Sequence, residues 1–390
     1  MNFIYTPSSR SDHGEHNSRL RLWCPIPCEN SPFADLIEER TTAWIYHQGL
    51  GNDAEHRDQL AQRSSIGQCA SRWYPDSEVD LAQIGADFLA LTFALDDFID
   101  LPHKSGDNVS RIVRLARFTR PAEAPESPPL DDSPLGMALA DIFGRLSQYA
   151  TSVQLARFGE ACRKMFVGLV WQDSLLADDL SHDLNEYAAM RMATVFGPCY
   201  TALAEILHGY QLDCDELTTP TVRALSEMSW WLTGWHNDIY AWAKEAASGA
   251  PDINAVAVIA SHNGGYVEHA MAETVALANQ VMALFLTLRA QTQRQASDPL
   301  RLYLQDLGRY ISGCLEYYKT SSRYREGIET RDAALLENIW LDNSEVQVDP
   351  DAPPSIPTIA WWWKLCSPMH LAIDATPSKG RTSRNDAEDY

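Results

Sequence analysis

At 390 residues, 45% of them hydrophobic, the chain is long enough to bury a large core. Its 31 basic and 53 acidic side chains leave a net charge of −22, which argues against nucleic acid or an anionic membrane as non-specific partners. The same charge repels an anionic substrate, so an anion site here needs a local basic pocket or bound cations.

Residues 1–30 carry Pro, Ser and His without periodicity and predict an irregular N-terminal arm. Met1 to Arg21 holds no apolar centre of a signal peptide. The longest apolar runs, Phe88–Leu95 and Ile359–Trp363, are too short to span a bilayer. The expectation is therefore a soluble, cytoplasmic protein with no stable membrane insertion. The eight cysteines are scattered, which fits free thiols in a reducing compartment.

From Pro32 the apolar spacing turns helical and stops at Gly49-Leu50-Gly51. Further helices are predicted at roughly 53–64, 79–101, 107–119, 134–149, 151–178, 184–208, 215–248, 251–262, 264–294 and 298–320. Gly-rich strand-to-helix turns are absent from the sequence, which removes dinucleotide-binding and P-loop folds from consideration. The Pro-rich break from Arg120 to Pro134 reads as a long surface loop, because helices of similar apolar character flank it. The fold class expected is all-α: one helical domain over 31–345 around a central cavity, followed by a partly disordered extension over 346–390.

Two acidic motifs stand on these helices. Asp96-Asp97-Phe98-Ile99-Asp100 closes an apolar helix, with Asp96 and Asp100 on one face. Carboxylates at a helix C-terminus oppose the macrodipole, and a divalent cation would remove that penalty; a solvated acidic helix end is the plainer alternative. The second motif places Asn237, Ala241 and Glu245 at i, i+4 and i+8. Asn and Glu oxygens are hard ligands suited to Mg²⁺. They lie among Trp230, Trp231, Trp235, Tyr240 and Trp242, most of which read as core.

With these residues the chain resembles microbial class I terpene synthases over roughly residues 24–330. Asp96-Asp97-Phe98-Ile99-Asp100 is similar to the family's DDxxD motif. Asn237-Asp238 and Glu245 are similar to its NDxxSxxxE motif, with Lys244 in the usual basic place. Arg191 stands where the family carries its diphosphate-sensing Arg, and Arg323-Tyr324 matches its late Arg-Tyr pair. Trp73-Tyr74-Pro75 and Asp252-Ile253-Asn254 add smaller echoes. Ala241 departs from the pattern, because Ser or Thr usually supplies a ligand oxygen there.

The resemblance implies a terpene cyclase, a carbon–oxygen lyase that ionises a linear prenyl diphosphate and closes the cation into rings. Farnesyl diphosphate is the expected substrate, with geranylgeranyl diphosphate as the alternative. The implied metal ligands are Asp96, Asp100, Asn237 and Glu245, holding three Mg²⁺ ions, for which Mn²⁺ can substitute. Arg191, Lys244, Arg323 and Tyr324 are the implied diphosphate contacts. Phe93 is the implied aromatic wall facing the carbocation, with Trp231 and Tyr317 as further candidates. The resemblance also implies Thr194 as a linker to the sensing Arg, Val195 as a responsive carbonyl, and Thr92 as a small residue at a pocket position that is often aromatic. A homodimer is compatible with the family. A chain-elongating prenyl synthase would need a second DDxxD. An impaired binding or scaffold relative has Ala241 as its one motive.

Overall fold

The structure is a computed structural model that describes residues 19–99, 107–177, 183–248, 253–324, 336–337, 339–342 and 352–366. In chain order it contains β1 (Leu20–Trp23), α1 (Ala34–Gln48), α2 (Ala54–Arg63), α3 (Ile66–Trp73), α4 (Val79–Ile99), α5 (Asp107–Arg117), α6 (Arg120–Glu123) and α7 (Pro134–Leu146). Then come α8 (Ser152–Ala177), α9 (Leu184–Thr194), α10 (Gly197–Leu207), α11 (Cys214–Leu217), α12 (Pro220–Ser248), α13 (Ala255–His262), α14 (Val267–Gln293) and α15 (Asp298–Thr320). A 3₁₀ turn (Ser322–Tyr324), β2 (Ile339–Asp342), α16 (Pro357–Ala360) and a second 3₁₀ turn (Trp361–Cys366) complete it.

The helix starts follow local chemistry. Asp53, Ser133, Asp183, Asn254 and Ser297 each accept a hydrogen bond from a backbone N–H in the first turn of the helix they precede. Gly49, with φ of 67°, closes α1 in the left-handed conformation.

Two apolar clusters form the interior. One gathers buried side chains of α1, α3, α4, α7, α8 and α10, with Phe88, Phe143 and Phe158 among its largest members. The other gathers α9, α12, α13, α14 and α15, with Trp231, Trp235 and Phe285 at its centre. The C-terminal part of α4 belongs to the first cluster, whereas most buried side chains of α9 and α12 belong to the second. The two acidic motifs therefore meet along the seam between them.

Several elements differ from the sequence expectation. The segment read as an irregular arm contains β1, which pairs in parallel with β2 in the register Leu20↔Ile339 to Trp23↔Asp342. Asn279 of α14 fixes β1 in place: its Oδ1 accepts from Trp23 N at 2.8 Å and its Nδ2 donates to Arg21 O at 2.8 Å. Four-residue strands leave too little alternation to read from sequence. α3 is also additional. Its small residues serve close packing, since a Cβ at Gly67 would lie 2.5 Å from Glu38 Cα of α1. Part of the 120–134 loop forms α6, which packs on α8.

The helix expected over 184–208 is two helices, broken at Phe196 with φ of 59°. Gly197 and Pro198 open the second, and a Cβ at Gly197 would lie 2.4 Å from the Trp230 ring. In the C-terminal segment Trp362 is fully buried, edge-on to Trp231, with its Nε1 donating to Glu227 at 3.0 Å. The apolar runs judged too short to span a bilayer did not include α14, whose 27 residues are long and apolar enough by length and composition. Its Met271, Val275, Ala278, Met282 and Phe285 are instead buried in the second cluster, where α14 packs against α12 and α13. The tail beyond Pro368 lies outside the described residues.

His236 of α12 is fully buried, and neither ring nitrogen finds a hydrogen-bond partner among the described residues. Burial pushes its pKa down to about 3, so the ring is neutral in the fold and charges readily only when the chain unfolds. Stability is then independent of this group above about pH 6.5 and is lost as pH falls from there towards 3. His236→Leu keeps the volume and removes the titration. Its melting temperature is expected to fall less steeply than that of wild type between about pH 6.5 and pH 4.5, as read by circular dichroism melts across that range. Parallel curves would show that His236 does not charge on unfolding.

Candidate active site

α4 brings Asp96 and Asp97 to the seam at its C-terminal end, where no basic residue of its own lies in the last turn. Enclosure, and then the neighbouring Asp97, push the Asp96 carboxyl up. Burial alone would also raise Asp97, but Arg323 and His56 hold it well below the usual carboxylate range. Arg323 Nη2 donates to Asp97 Oδ1 at 2.8 Å, and His56 Nε2 lies 2.9 Å from Asp97 Oδ2. The Arg323 guanidinium also sits 4.9 Å over the Phe93 ring. Asp100 lies outside the described residues.

α12 runs opposite. Asn237 Oδ1 accepts from Arg191 Nη2 at 2.7 Å, and its Nδ2 donates to Tyr324 Oη at 2.9 Å. One residue on, Asp238 is 1% exposed and accepts from Tyr187 Oη at 2.6 Å, Arg191 Nε at 3.0 Å and Ala255 N at 3.2 Å. Glu245, two turns later, accepts from Asn254 Nδ2 at 2.8 Å. Burial, followed by Asp238, pushes the Glu245 carboxyl up to about 7. Lys244 is pulled down by Arg323, and then by its own burial. Ala241 is buried and presents no oxygen.

α9 ends at Thr194, and the break after it fixes Arg191. Gly234 makes room for this side chain: a Cβ there would lie 3.0 Å from Arg191 Cγ. The Val195 carbonyl at the break accepts from Tyr310 Oη at 3.1 Å. Phe196 holds a left-handed backbone that a bulky residue adopts only under constraint.

The expected site residues thus converge in part directly and in part through partners. Arg191, Asn237 and Tyr324 form one hydrogen-bonded set, while Arg323 bonds to Asp97 and lies over the ring of Phe93. Lys244, Arg323 and Asp97 share a pocket of 420 Å³. Trp231 does not line it. That ring is fully buried and stacked on Trp235 at 4.0 Å between centroids. Tyr317 is buried beside Phe93, with its hydroxyl donating to Ser64 O at 2.6 Å. The Thr92 hydroxyl is 2.5 Å from Tyr200 Oη, beside a small apolar pocket lined also by Leu95, Met165 and Phe166.

His56, Asp97, Tyr187, Gly234 and Asp238 were missed as site residues. Asp97 and Asp238 lie inside the motifs, so the signal was present. A lone His on a polar helix and a Gly inside an apolar one carry none.

The donor set fits hard divalent cations. Carboxylate and amide oxygens of Asp96, Asn237 and Glu245 stand on facing helices, and the raised Asp96 and Glu245 are groups that a nearby positive charge would ionise. Among the described residues no group of three or more His, Cys, Asp or Glu side chains is placed to hold a metal ion by itself.

An all-α bundle with acidic motifs facing each other across its seam defines a class I terpenoid synthase. Known proteins agree. The model of the terpene synthase family 2 C-terminal metal-binding region matches residues 87–283. Bonnadiene synthase of Allokutzneria albata is 31% identical over 88% of this chain and 96% of its own length. The (+)-T-muurolol synthase of Streptomyces clavuligerus, described as (2E,6E)-farnesyl diphosphate cyclizing, is 32% identical over 91% of this chain and 84% of its own. The crystal structure of SVS_A2, a protein from ancestral sequence reconstruction, aligns with a TM-score of 0.72 at 25% identity, over 88% of this chain and 98% of that one. The chain belongs to the microbial class I terpene synthases and is a terpene cyclase.

Asp238 joins α9, α12 and α13 through its three donors. Asp238→Ala leaves the Arg191 charge buried without its partner and is expected to destabilise the fold by about 3–5 kcal/mol. Tyr187→Phe removes one neutral donor and should cost about 1–2 kcal/mol. Urea unfolding of the three proteins measures both. Equal midpoints for Asp238→Ala and wild type would remove Asp238 as the anchor of Arg191.

Proposed function

We propose that this cyclase acts on farnesyl diphosphate, with Mg²⁺ held between Asp96 on α4 and Asn237 and Glu245 on α12, and with Asp100 in support. The observation that carries the reading is the gathering of Arg191, Lys244 and Arg323 around those oxygens in a chain of net charge −22. A local positive cluster is what an acidic protein needs in order to bind a diphosphate. The farnesyl preference rests on the T-muurolol synthase similarity.

When bound, Mg²⁺ supplies Lewis-acid neutralisation of the leaving diphosphate. The protein's own groups do the rest. Arg323 and Tyr324 donate to diphosphate oxygens, Arg323 exchanging its Asp97 bond for a phosphate one. Lys244, pulled down by Arg323, has its charged form stabilised by a neighbouring anion. Arg191 reaches the same anion from α9, positioned by Asp238. Phe93, already under a guanidinium, offers its π face to a carbocation. Ala241 leaves one ligand position to solvent, so a working site needs more Mg²⁺ than one carrying a hydroxyl there.

The test is incubation with Mg²⁺ and the C10, C15, C20 and C25 diphosphates, with hydrocarbons read by mass spectrometry and released diphosphate by colorimetry. A cyclic C15 hydrocarbon with matching diphosphate release is expected. Arg323→Ala should lose on the order of 100-fold in kcat/KM. Ala241→Ser should reach half-maximal rate at lower Mg²⁺ with turnover equal or improved. A dominant C20 product would overturn the farnesyl assignment. An unchanged or higher Mg²⁺ requirement in Ala241→Ser would detach that helix face from the metal shell.

A further inference from the structure

α2 carries none of the family motifs, and only Leu60 and Ala61 of its ten residues are buried. His56, Gln59, Leu60 and Arg63 fall at i, i+3, i+4 and i+7, and all four line the 420 Å³ pocket. Asp97, Lys244, Ser322 and Arg323 line it as well. Among its described lining residues, three basic side chains, Arg63, Lys244 and Arg323, share it with the single carboxylate of Asp97. A concave site with that balance attracts a multiply charged anion.

The helix is also fastened to the ionic machinery at both ends. At its start, His56 Nε2 lies 2.9 Å from Asp97 Oδ2. At its end, the Ser322 hydroxyl donates to the Arg63 carbonyl at 2.7 Å, and Tyr317 Oη donates to the Ser64 carbonyl at 2.6 Å. These bonds tie α2 to α4, to α15 and to the turn that carries Arg323 and Tyr324. With so few apolar anchors, α2 is held over the pocket mainly by polar contacts.

We propose that α2 is a wall of the diphosphate site: Arg63 donates to phosphate oxygens directly, and His56 is a positioning residue that keeps Asp97 turned towards the Arg323 side. The proposal rests on the reading of this pocket as a diphosphate site. The planar guanidinium fork of Arg63 matches phosphate oxygens in a way that Lys reproduces only as a point charge. The Arg63 side chain is exposed, so its replacement leaves the core untouched.

The experiment uses the full chain with sodium pyrophosphate and MgCl₂ as the probe, measured by titration calorimetry, together with steady-state kinetics on farnesyl diphosphate. Arg63→Gln is expected to weaken pyrophosphate binding on the order of tenfold and to raise KM more than it lowers kcat. Arg63→Lys should recover part of the loss. Arg40→Gln removes the same charge from the surface of α1, where Arg40 pairs with exposed Asp80, and should bind as wild type does. If wild type binds pyrophosphate and Arg63→Gln binds it equally well, or no worse than Arg40→Gln, then α2 is not part of the site although the diphosphate reading stands. If wild type binds no pyrophosphate with Mg²⁺, the diphosphate reading falls and the α2 proposal falls with it.

Discussion

A carboxyl group at 1% exposure is tolerable only when its lone pairs are used, and Asp238 uses them on three donors from two other helices. Tyr187 and Arg191 come from α9, and the Ala255 amide comes from the start of α13. Burial pushes this carboxyl up while Arg191 pulls against it, so the pair depends on close geometry. Through Arg191 the constraint passes to Asn237, and through Asn237 to Tyr324. The small residue at Gly234, the break at Phe196 and the short approach of Gly197 to Trp230 all serve the same end, which is to lay α9 against α12 so that a long cation reaches across.

Around this anchor the site is a set of internal ion pairs and hydrogen bonds. Arg323 rests on Asp97, Asp97 on His56, Arg191 on Asp238, and Glu245 on Asn254. Each pair stores a cation or an oxygen ligand in a defined place without leaving it unpaired in a low dielectric. A diphosphate with divalent cations offers Arg323, Arg191, Asp97 and Glu245 partners of the opposite sign. Binding is then an exchange of partners rather than the burial of new charge, which lowers the desolvation cost that an acidic protein would otherwise meet.

The division of the interior into two apolar clusters places this charge at a seam and keeps it out of either core. One cluster supplies α4 with its paired carboxylates, and the other supplies α9 and α12. The parallel β1–β2 pair and the buried Trp362 close the outside of the second cluster. α16, just before Trp362, packs on α9, where the Thr358 amide donates to Asn185 Oδ1 at 2.6 Å.

Much of this was legible in the sequence. The helical spacing from Pro32 and the helices expected over 79–101 and 298–320 lie close to those observed, because helix periodicity and caps are local properties. Asp96, Asn237 and Glu245 stood out because motif spacing along a helix is also local, whereas Arg191 and Arg323-Tyr324 were singled out only by the family resemblance. What those side chains touch was not. Asp97, inside a motif but unassigned, turned out to hold Arg323, and Asp238 to hold Arg191, since a partner 47 or 226 residues away leaves no periodic trace. Trp231 stood among aromatics that read mostly as core but was also a further cavity-wall candidate, and its stack on Trp235 and contact with the buried Trp362 place it in the core. His56 and Arg63 looked like ordinary surface residues on a polar helix. The sequence by itself determined an all-α chain with two acidic motifs and a late Arg-Tyr pair. The tertiary structure alone decided which charges neutralise one another and which face the pocket, because a charged pair depends on distance in space and not on distance along the chain.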